Sequence, residues 1–549
     1  MNGPTDQHRC RTAASIAAIL VTLLTPLPAA WADDKDSSGD WTMGGQDIRN
    51  WRNQSQTKIA PNNVGRLKTK WTFTTGADVS ATPSVANGVV YFPDFAGYVY
   101  AVNAKTGVSL WSRHVSNWTG IANDYSRNSP VVYRNMLILG DQAGTLSVWN
   151  GSQLTGAGAR VMAVDATTGN LIWVTQVDAF PTAMITSSPV VFDGIVYVGV
   201  AQFEEATAAT GNYPCCVGRG SMVALDVQTG QKLWQTYTVP DNGGMPGGYS
   251  GGAIWSVTPA IDAKRKLVYV GTGNNYSAPA AAKSCIQATP GNKNCTDPAD
   301  YFDAVLALDL KTGKIKWARR ALTYDAWNVA CLYVPEGAGN CPLPEGPDYD
   351  FGGSGPNLLT VGDRDILGVG SKSGIYWALD PDNGDVLWST PVGPGSALGG
   401  IEWGTATDGK RIYVPIANWL SAPYNLQPSG KPATSGSWAA LDPKDGKILW
   451  QTAKPLETCQ QGCMGLGPTS VANGVVFAAS MDSNAANRTM FALDARTGDI
   501  LWSFAAGSSV VAAPAIVGNS VYWGAGFSRF GLGTPNNKLY AFTLADDAD

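Results

Sequence analysis

A phrase of eleven residues recurs along this chain and limits what it can fold into. Seven copies occur at intervals of 52 to 83 residues: AVNAKTGVSLW (101–111), AVDATTGNLIW (163–173), ALDVQTGQKLW (224–234), ALDLKTGKIKW (307–317), ALDPDNGDVLW (378–388), ALDPKDGKILW (440–450) and ALDARTGDILW (492–502). Most copies have the pattern of a strand that ends at Asp, a glycine-containing turn, and a second strand that ends at Trp. Such spacing predicts a repeated supersecondary unit.

Each unit also contains a second pair of strand-like segments, such as those in 82–102 and 186–201. Four antiparallel strands per unit are typical of a propeller blade. An eighth unit is split, because 537–546 supplies the strand before the turn and 66–76 supplies the strand with the Trp. Pairing these N- and C-terminal strands would close the ring and leave no free sheet edge. We therefore predict an all-β, eight-bladed β-propeller; a seven-bladed ring with a loose N-terminal strand is the alternative.

Composition agrees with this fold class and narrows the function. The 63 glycines, 33 prolines and 20 tryptophans indicate many turns and aromatic-rich strands. The repeated Trp is predicted to pack between neighbouring blades rather than to bind a ligand. The net charge of −5, without a basic cluster, argues against a nucleic-acid partner.

The first 32 residues have the three parts of a secretory signal peptide. Arg9 and Arg11 precede an apolar run from Ala13 to about Leu27, and Ala-Trp-Ala stands at 30–32. A membrane anchor fits less well, because the run is short and contains a proline. We predict a signal peptide at 1–32, one propeller domain at 33–549, and a periplasmic protein without stable membrane insertion.

Cysteine and histidine usage excludes several chemistries. Besides Cys10, eight cysteines form the close pairs 215/216, 285/295, 331/341 and 459/463. In an exported chain this pattern predicts four disulfides rather than a metal site. The only histidines are His8 and His114, so neither a Ser-His-Asp site nor a histidine metal cage is feasible. No C-x-x-C-H motif for a covalently attached haem is present.

The repeat A-x-D-x-x-T-G-x-x-x-W, together with the opening DIRNWRNQSQTKIAPNNVGRLKTKWTF (47–73), resembles the pyrroloquinoline quinone (PQQ) dependent alcohol dehydrogenases. The resemblance covers nearly all of the chain after residue 32. It implies hydride transfer from an alcohol to PQQ, assisted by Ca²⁺ and by a base that takes the hydroxyl proton. The implied substrates are secondary alcohols, including polymers of repeating 1,3-diols. The implied electron acceptor is a soluble cytochrome c.

The same resemblance assigns the metal and part of the cofactor site. In the stretch 185–205 it makes Thr186 a quinone contact and Glu204 a calcium ligand, with Glu205 as the alternative. VYVGTGN (268–274) ends on the family's amide ligand, which is Asn274. Oxygen ligands of this kind suit Ca²⁺.

Three further positions are implied to hold the quinone. Trp255 in GGAIWSVTPAID (251–262) would lie under its ring, and Arg127 in DYSRNSPVV (124–132) would bind a carboxylate. The Cys215–Cys216 pair would cover the opposite face, although it follows Glu204, whereas the family's pair precedes the equivalent of Arg127. A ring this small gains almost no loop entropy, so its use would be local shape. Two cysteines bonded elsewhere are the alternative.

The catalytic base departs from the family pattern. DAWN (325–328) offers Asn328, which cannot accept a proton, whereas PDYDFGGSGP (347–356) restores the pattern at Asp350. We predict Asp350 as base and metal ligand, with Asp348 and Asp325 as alternatives.

Three other positions bear on the predicted site. By the same resemblance, Lys372 in LGVGSKSGIYWALD (367–380) stands where the family has a basic residue that hydrogen-bonds the quinone oxygens, and its ammonium would also hold the carboxylate of the base. Gly352 stands where lanthanide-using members carry a second carboxylate, which favours calcium. Arg219 is a further, less specific, candidate for the quinone rim.

A protein of another class must also be considered. A non-catalytic propeller that serves as a scaffold or binds a ligand would keep the repeated Asp and Trp. It has no need for Glu204, Asn274, Asp350, Lys372 and the adjacent cysteines together. Their joint presence favours the enzyme.

Overall fold

The computed structural model describes residues 1, 39–255, 258–333, 339–455 and 463–544. The chain divides into two units, Met1–Lys35 and Asp36–Asp549, and every element given below belongs to the second. The predicted signal peptide lies outside the described residues, apart from Met1.

Eight antiparallel sheets, each with four main strands, make up the described part of the propeller. Blades 1 to 4 consist of Ser84–Ala86, Val89–Pro93, Tyr98–Asn103 and Ser109–His114; Val131–Tyr133, Met136–Gly140, Ala159–Asp165 and Leu171–Asp178; Val190–Phe192, Ile195–Gln202, Ser221–Asp226 and Lys232–Tyr237; Ala260–Asp262, Leu267–Gly271, Ala304–Asp309 and Ile315–Arg320. Blades 5 to 8 consist of Asn357–Val361, Arg364–Gly370, Ile375–Leu379 and Val386–Pro391; Ala406–Thr407, Ile412–Ile416, Ser437–Leu441 and Ile448–Ala453; Ser470–Ala472, Val475–Ala479, Met490–Asp494 and Ile500–Phe504; Ala515–Val517, Ser520–Gly524, Lys538–Leu544 and Leu67–Thr74.

Short elements decorate the loops between these strands. The accessory strands are Asn53–Gln54, Val148–Trp149, Leu154–Thr155, Ala183–Met184, Ser250–Gly251, Asn275–Ser277, Tyr424–Asn425 and Pro432–Ala433. The α-helices are Ser116–Thr119, Glu204–Thr207 and Ala280–Ala288, and the 3-10 turns are Val64–Arg66, Ala143–Leu146, Lys293–Cys295, Val329–Leu332 and Arg529–Gly531.

Blade 8 closes the ring with strands from both parts of the chain. Leu67–Thr74 pairs antiparallel with Lys538–Leu544, with Leu67 opposite Leu544 and Thr74 opposite Lys538. The predicted eight-bladed propeller is confirmed, and the seven-bladed alternative is wrong. Because Leu67–Thr74 is hydrogen-bonded into a sheet, the seam leaves no unpaired strand between the first and last blades.

The repeated Trp residues join each blade to the next, as predicted. The Trp111 indole donates to the carbonyl of Ala166 at 2.9 Å, and the Trp173 indole donates to that of Val227 at 3.0 Å. At the seam, Trp502 donates to Leu67 at 3.2 Å. Each indole therefore buries its ring against the neighbouring blade and satisfies its own N–H there.

The turn glycine of the repeat lies against the Trp of the preceding blade. Gly230 has φ +71°, and a Cβ at this position would lie 2.5 Å from Cε3 of Trp173. Gly194 has a similar φ of +74°, but nothing lies within 4 Å of its Cβ position. Substituting each of the two glycines therefore distinguishes the free-energy cost of the backbone conformation from the cost of steric crowding.

We expect Gly230→Ala to destabilise the protein more than Gly194→Ala. Both variants force alanine into the left-handed region, at about 1–2 kcal/mol. Only Gly230→Ala overpacks the blade interface, which adds about 1–3 kcal/mol. Urea unfolding of both variants measures the difference. Equal losses would show that the indole contact does not constrain this turn.

The loops that follow the second and fourth strands of every blade lie on one face, because the strands of each blade alternate in direction. The tight turns of the eleven-residue repeat lie on the opposite face. Segments 203–220, 272–303 and 371–374 follow second strands, whereas segments 238–259, 321–356 and 392–405 lead into new blades. All of the predicted site residues except Thr186 and Arg127 lie in these six segments, and those two precede blades 3 and 2 on the same face. The fold thereby gathers distant parts of the sequence at one end of the ring.

Three of the predicted disulfides are present: Cys215–Cys216, Cys285–Cys295 and Cys331–Cys341. The fourth predicted pair includes Cys459, which lies outside the described residues.

Candidate active site

Asp350, Lys372 and Trp255 are in direct contact at this face. Oδ2 of Asp350 accepts a hydrogen bond from Nε1 of Trp255 at 3.2 Å and lies 3.4 Å from Nζ of Lys372. The Lys372 ammonium also lies 5.0 Å from the centroid of the Trp255 ring. The structure thus brings together three residues that the sequence predicted from three different blades.

Asp348 shares the lysine with Asp350. Nζ of Lys372 donates to both carboxylate oxygens of Asp348 at 3.0 Å. Oδ1 of Asp350, in contrast, is buried and has no hydrogen-bond partner among the described residues. Of the two aspartates, Asp350 is therefore the one with an oxygen available to a ligand or a proton.

Gly352 and Gly353 pack directly against the Trp255 ring, and there is no space for a side chain at either position. A Cβ at Gly352 would lie 2.4 Å from Nε1 of Trp255, and one at Gly353 would lie 2.8 Å from its Cη2. A second carboxylate at position 352 would therefore displace the indole. This packing explains why residue 352 is glycine: a side chain there would disturb the indole that donates a hydrogen bond to Asp350.

Charge at the site is strongly unbalanced toward acid. Burial and the Asp350 carboxylate raise the pKa of Glu205 to about 7, and that of Glu402 also to about 7, against the effect of Lys372. Burial raises the pKa of Asp350 as well. Burial alone would lower the pKa of Lys372, but the neighbouring Asp348 and Asp350 carboxylates raise it further than burial lowers it. One ammonium thus faces several carboxylates, and a bound cation would relieve their repulsion.

Glu204 and Glu205 face different surroundings. The buried Glu204 carboxylate accepts hydrogen bonds from the Tyr213 hydroxyl at 2.6 Å and from the backbone N–H groups of Val217 and Gly218 at 2.8 and 2.5 Å. Its role in the structure is to hold the segment that carries the vicinal cysteines. Glu205 is the one whose charge interacts with Lys372 and Asp350.

Asn274 is positioned for an amide oxygen to serve as a ligand. Its side-chain nitrogen donates to the carbonyls of Trp327 at 2.8 Å and Asn275 at 3.1 Å. No described residue donates to its oxygen. The preceding Gly273 lies beside Asp350, because a Cβ there would be 3.3 Å from Oδ2 of Asp350. Asn274 therefore presents an acceptor next to the acidic cluster.

Arg127 and Thr186 line a small polar cavity of about 40 Å³, together with Arg52, Ser129, Ser188 and Trp403. Neither guanidinium forms an ion pair among the described residues. Burial lowers the pKa of Arg52 to about 10, and burial together with Arg529 lowers that of Arg127 to about 9. Two unpaired guanidiniums among hydroxyl groups suit a ligand that carries carboxylates.

Trp403 links this cavity to the acidic cluster. Its ring lies 5.6 Å from that of Trp255 in an edge-to-face arrangement, and the Arg127 guanidinium lies 4.9 Å from its centroid. The indoles of Trp255 and Trp403 therefore lie between the arginine-lined cavity and the acidic cluster.

The vicinal disulfide lies in the neighbourhood of Trp255. Cys216 is fully buried in an apolar cluster, and Cys215 and Trp255 are partly buried and pack against this cluster. Nδ2 of Asn328 lies 4.0 Å from Sγ of Cys215. The segment that carries the two cysteines thus reaches the neighbourhood of Trp255 from blade 3.

The remaining alternatives lie at the margin of the site. Asp325 accepts hydrogen bonds from the backbone N–H groups of Asp348 and Tyr349 at 3.2 and 2.9 Å, so it supports the segment that carries Asp350. Asn328 caps the turn Val329–Leu332. Arg219 contacts Tyr237 and Asp241.

Sequence reasoning missed Arg52, Glu402 and Trp403. The last two stand in GGIEWG (399–404), where a charged residue beside an indole in a glycine-rich loop was the available signal. Arg52 comes from the segment before blade 1, and nothing in its local sequence distinguishes it from a surface arginine.

Two family models match the chain. The PQQ model, described as glucose/ethanol/alcohol dehydrogenase β-propeller domain, covers residues 41–332, and that of the outer membrane protein assembly factor BamB covers 434–547. The first match includes more than half of the chain. The chain belongs to the PQQ-dependent alcohol dehydrogenase family, and it is a PQQ-dependent dehydrogenase.

Curated relatives refine this assignment. The chain is 32% identical to the polyvinyl alcohol dehydrogenase of Sphingopyxis sp. (strain 113P3), over 93% of this chain and 77% of that protein. It is 33% identical to a polyvinyl alcohol dehydrogenase of Pseudomonas sp., over 86% and 68% of the two chains.

Solved structures agree on the fold. The quinohemoprotein alcohol dehydrogenase ADHIIG of Pseudomonas putida HK5 is similar with a TM-score of 0.67 at 22% identity, over 93% of this chain and 81% of that one. The enzyme of Comamonas testosteroni gives 0.64 at 21% identity, over 92% and 80%. Within the part of the chain that the structure describes, no helix is both long and apolar enough to cross a membrane.

Proposed function

We propose that this protein is a periplasmic, PQQ- and calcium-dependent dehydrogenase that oxidises secondary alcohols, including polyvinyl alcohol, to ketones and passes electrons to a cytochrome c. The observation that carries the proposal is the contact of Asp350 with Trp255 and Lys372, while Oδ1 of Asp350 has no partner among the described residues. The substrate class is supported by the two polyvinyl alcohol dehydrogenases that match the chain.

The residues present fit both groups. For calcium, Glu205, the amide oxygen of Asn274 and the carboxylate of Asp350 are oxygen ligands in an acidic surrounding. For PQQ, Arg127, Arg52 and Thr186 offer donors to its carboxylates, and Trp255 offers a flat apolar surface. Cys215–Cys216 is proposed to cover the other face. When bound, PQQ supplies the quinone carbonyl that accepts hydride, and calcium polarises that carbonyl.

The chain's own residues then perform the proton chemistry. Asp350 accepts the proton of the alcohol hydroxyl at Oδ1, which receives no hydrogen bond within the described residues. Lys372 and the Trp255 N–H hold Oδ2, so that the carboxylate keeps one orientation. Because burial raises the pKa of Asp350, the carboxylate is a stronger base than an exposed aspartate.

A non-catalytic scaffold is less well supported. The BamB match covers only 434–547, which lies outside the segments that carry Asp350, Lys372 and Trp255. Those residues form a buried charged cluster, and burying these charges costs free energy that a scaffold would not need to spend.

Reconstitution tests the proposal. The purified protein, loaded with PQQ and Ca²⁺, is expected to reduce an artificial electron acceptor with a secondary alcohol or polyvinyl alcohol as donor. A chelator should remove this activity, and Ca²⁺ should restore it. A loaded protein that oxidises no alcohol would support the scaffold.

Paired variants of the two glutamates test the metal ligand. We expect Glu205→Gln to raise the Kd for Ca²⁺ at least about tenfold, since even groups behind a ligand contribute about 10–100-fold. Glu204→Gln should instead destabilise the protein by about 1–3 kcal/mol, because it places an amide among three donors. Calorimetric titration with Ca²⁺ and urea unfolding separate the effects. If Glu204→Gln weakens calcium binding more, the ligand is Glu204.

A further inference from the structure

A loop of blade 8, residues 525–537, reaches from the buried site to the surface of the loop face. Its base is fixed by Asp78, which is buried and accepts the backbone N–H of Ser528 at 2.7 Å, its hydroxyl at 2.6 Å and the N–H of Asn536 at 2.8 Å. The loop is therefore anchored at both ends, while its tip extends beyond the anchor.

The tip of the loop contacts blades that are not its neighbours. The ring of Phe530 stacks on that of Phe203 with centroids 6.1 Å apart and an interplanar angle of 13°. Phe203 follows the second strand of blade 3, so the contact spans blades 1 and 2. Arg529 hydrogen-bonds the hydroxyl of Tyr125, from the segment between blades 1 and 2. Such contacts are possible only over the inner part of the ring.

The same loop continues down to the indole pair. Phe527 is buried, its ring lies 6.4 Å from that of Trp403, and the Arg127 guanidinium lies 5.9 Å from its centroid. Trp403 in turn contacts Trp255. The loop 525–537 thus has one aromatic side chain, Phe527, buried against the candidate active site and another, Phe530, that is 61% exposed.

We propose that Phe203, Arg529 and Phe530 form an entrance subsite that binds the carbon chain of a polymeric secondary alcohol. The inference rests on the proposed function. While one hydroxyl of such a chain lies at Asp350, its other repeats must pass the entrance. Parallel aromatic rings bind methylene groups through dispersion and apolar burial. The guanidinium of Arg529, 4.8 Å from the Phe530 ring, donates to chain hydroxyls.

The length of the substrate and its lack of charge indicate which alcohol the entrance subsite binds. A small alcohol that fills the site has no atoms left to contact Phe530, whereas an extended polymer has carbon atoms at both levels. The Arg529 guanidinium is close enough to Arg127 to help lower the pKa of Arg127, although burial lowers it more. A neutral polyol adds no charge to this entrance, and its hydroxyls replace the water lost by the guanidinium.

Phe530→Ala tests the subsite by substrate selectivity. We expect the ratio of kcat/KM for polyvinyl alcohol to kcat/KM for 2-butanol to fall about tenfold, as for the loss of one partly buried aromatic contact. Val108→Ala is the matched control, because Val108 is also 61% exposed but lies in a repeat turn on the opposite face. It should leave the ratio unchanged. Phe203→Ala should act in the same direction as Phe530→Ala.

Equilibrium binding of polyvinyl alcohol to the PQQ- and calcium-loaded protein gives a readout independent of turnover. Binding should weaken in Phe530→Ala and not in Val108→Ala. An unchanged ratio, or equal losses with both substrates, overturns the subsite while leaving the dehydrogenase intact. If the wild-type protein oxidises no alcohol, the proposed function fails, and equal polymer binding by wild type and Phe530→Ala then also overturns the subsite.

Discussion

Asp350→Asn is expected to lower kcat for alcohol oxidation by a factor of about 10³, within the range of about 10²–10⁴ that general base catalysis contributes. The amide keeps the size of the side chain but cannot accept the hydroxyl proton. Because Trp255 and Lys372 remain in place, the variant should still bind PQQ, which an absorbance or fluorescence titration measures separately from turnover.

Two comparisons make this result specific to Asp350. Asp363→Asn changes an exposed aspartate in a turn of blade 5 and should leave kcat unchanged. Asp348→Asn should lower kcat less than Asp350→Asn, since both Asp348 oxygens are already bound by Lys372. The opposite order of the two site variants would place the base at Asp348.

Lys372→Met is expected to destabilise the metal-free protein by about 3–5 kcal/mol, the usual cost of removing one partner from a buried ion pair. The lysine side chain is 7% exposed, and its removal leaves Asp348 and Asp350 without their shared cation. Urea unfolding in the presence of a chelator measures the loss.

The pH dependence of this loss has a definite sign. Without Lys372, burial leaves the pKa values of both aspartates above those of the unfolded chain, so the folded state binds more protons. The variant should therefore lose more stability at pH 8 than at pH 5. Asp348→Asn/Lys372→Met should recover part of the loss, and Lys105→Met, at an exposed turn, should cost little. A loss independent of pH would show that lost packing, not charge, dominates.

The blades could be predicted because their signals are local. Each copy of the repeat carries its own turn, and the Asp165 side chain accepts the N–H groups of Thr167 and Thr168 within the turn itself. The Trp that ends the repeat needs only the adjacent blade. Blade number and closure therefore follow from counting copies and recognising the two halves of the split unit.

The site was predictable only where a residue's direction follows from a strand or a motif. Glu204 and Glu205 begin a short helix, where consecutive side chains point about 100° apart, so one residue of register decides which carboxylate meets Lys372. Arg52 reaches its cavity from a segment outside the repeat. Such placements depend on packing between distant loops, which one sequence does not encode locally.

The strand pairing that completes blade 8 also affects the order in which the blades can fold. Leu67–Thr74 emerges from the ribosome early, yet its partner Lys538–Leu544 is made about 470 residues later, so the first strand must wait while seven blades are assembled. Such a long-range contact lowers the rate of folding, since the entropy of a very large loop is lost before the contact forms. Deleting Lys538–Leu544 would leave the backbone hydrogen-bonding groups of Leu67–Thr74 without partners and expose the edges of two strands at once. In a circular permutant, a short linker would join Lys538–Leu544 to Leu67–Thr74, and new termini would lie within a repeat turn. In that permutant this pairing would be the first to form.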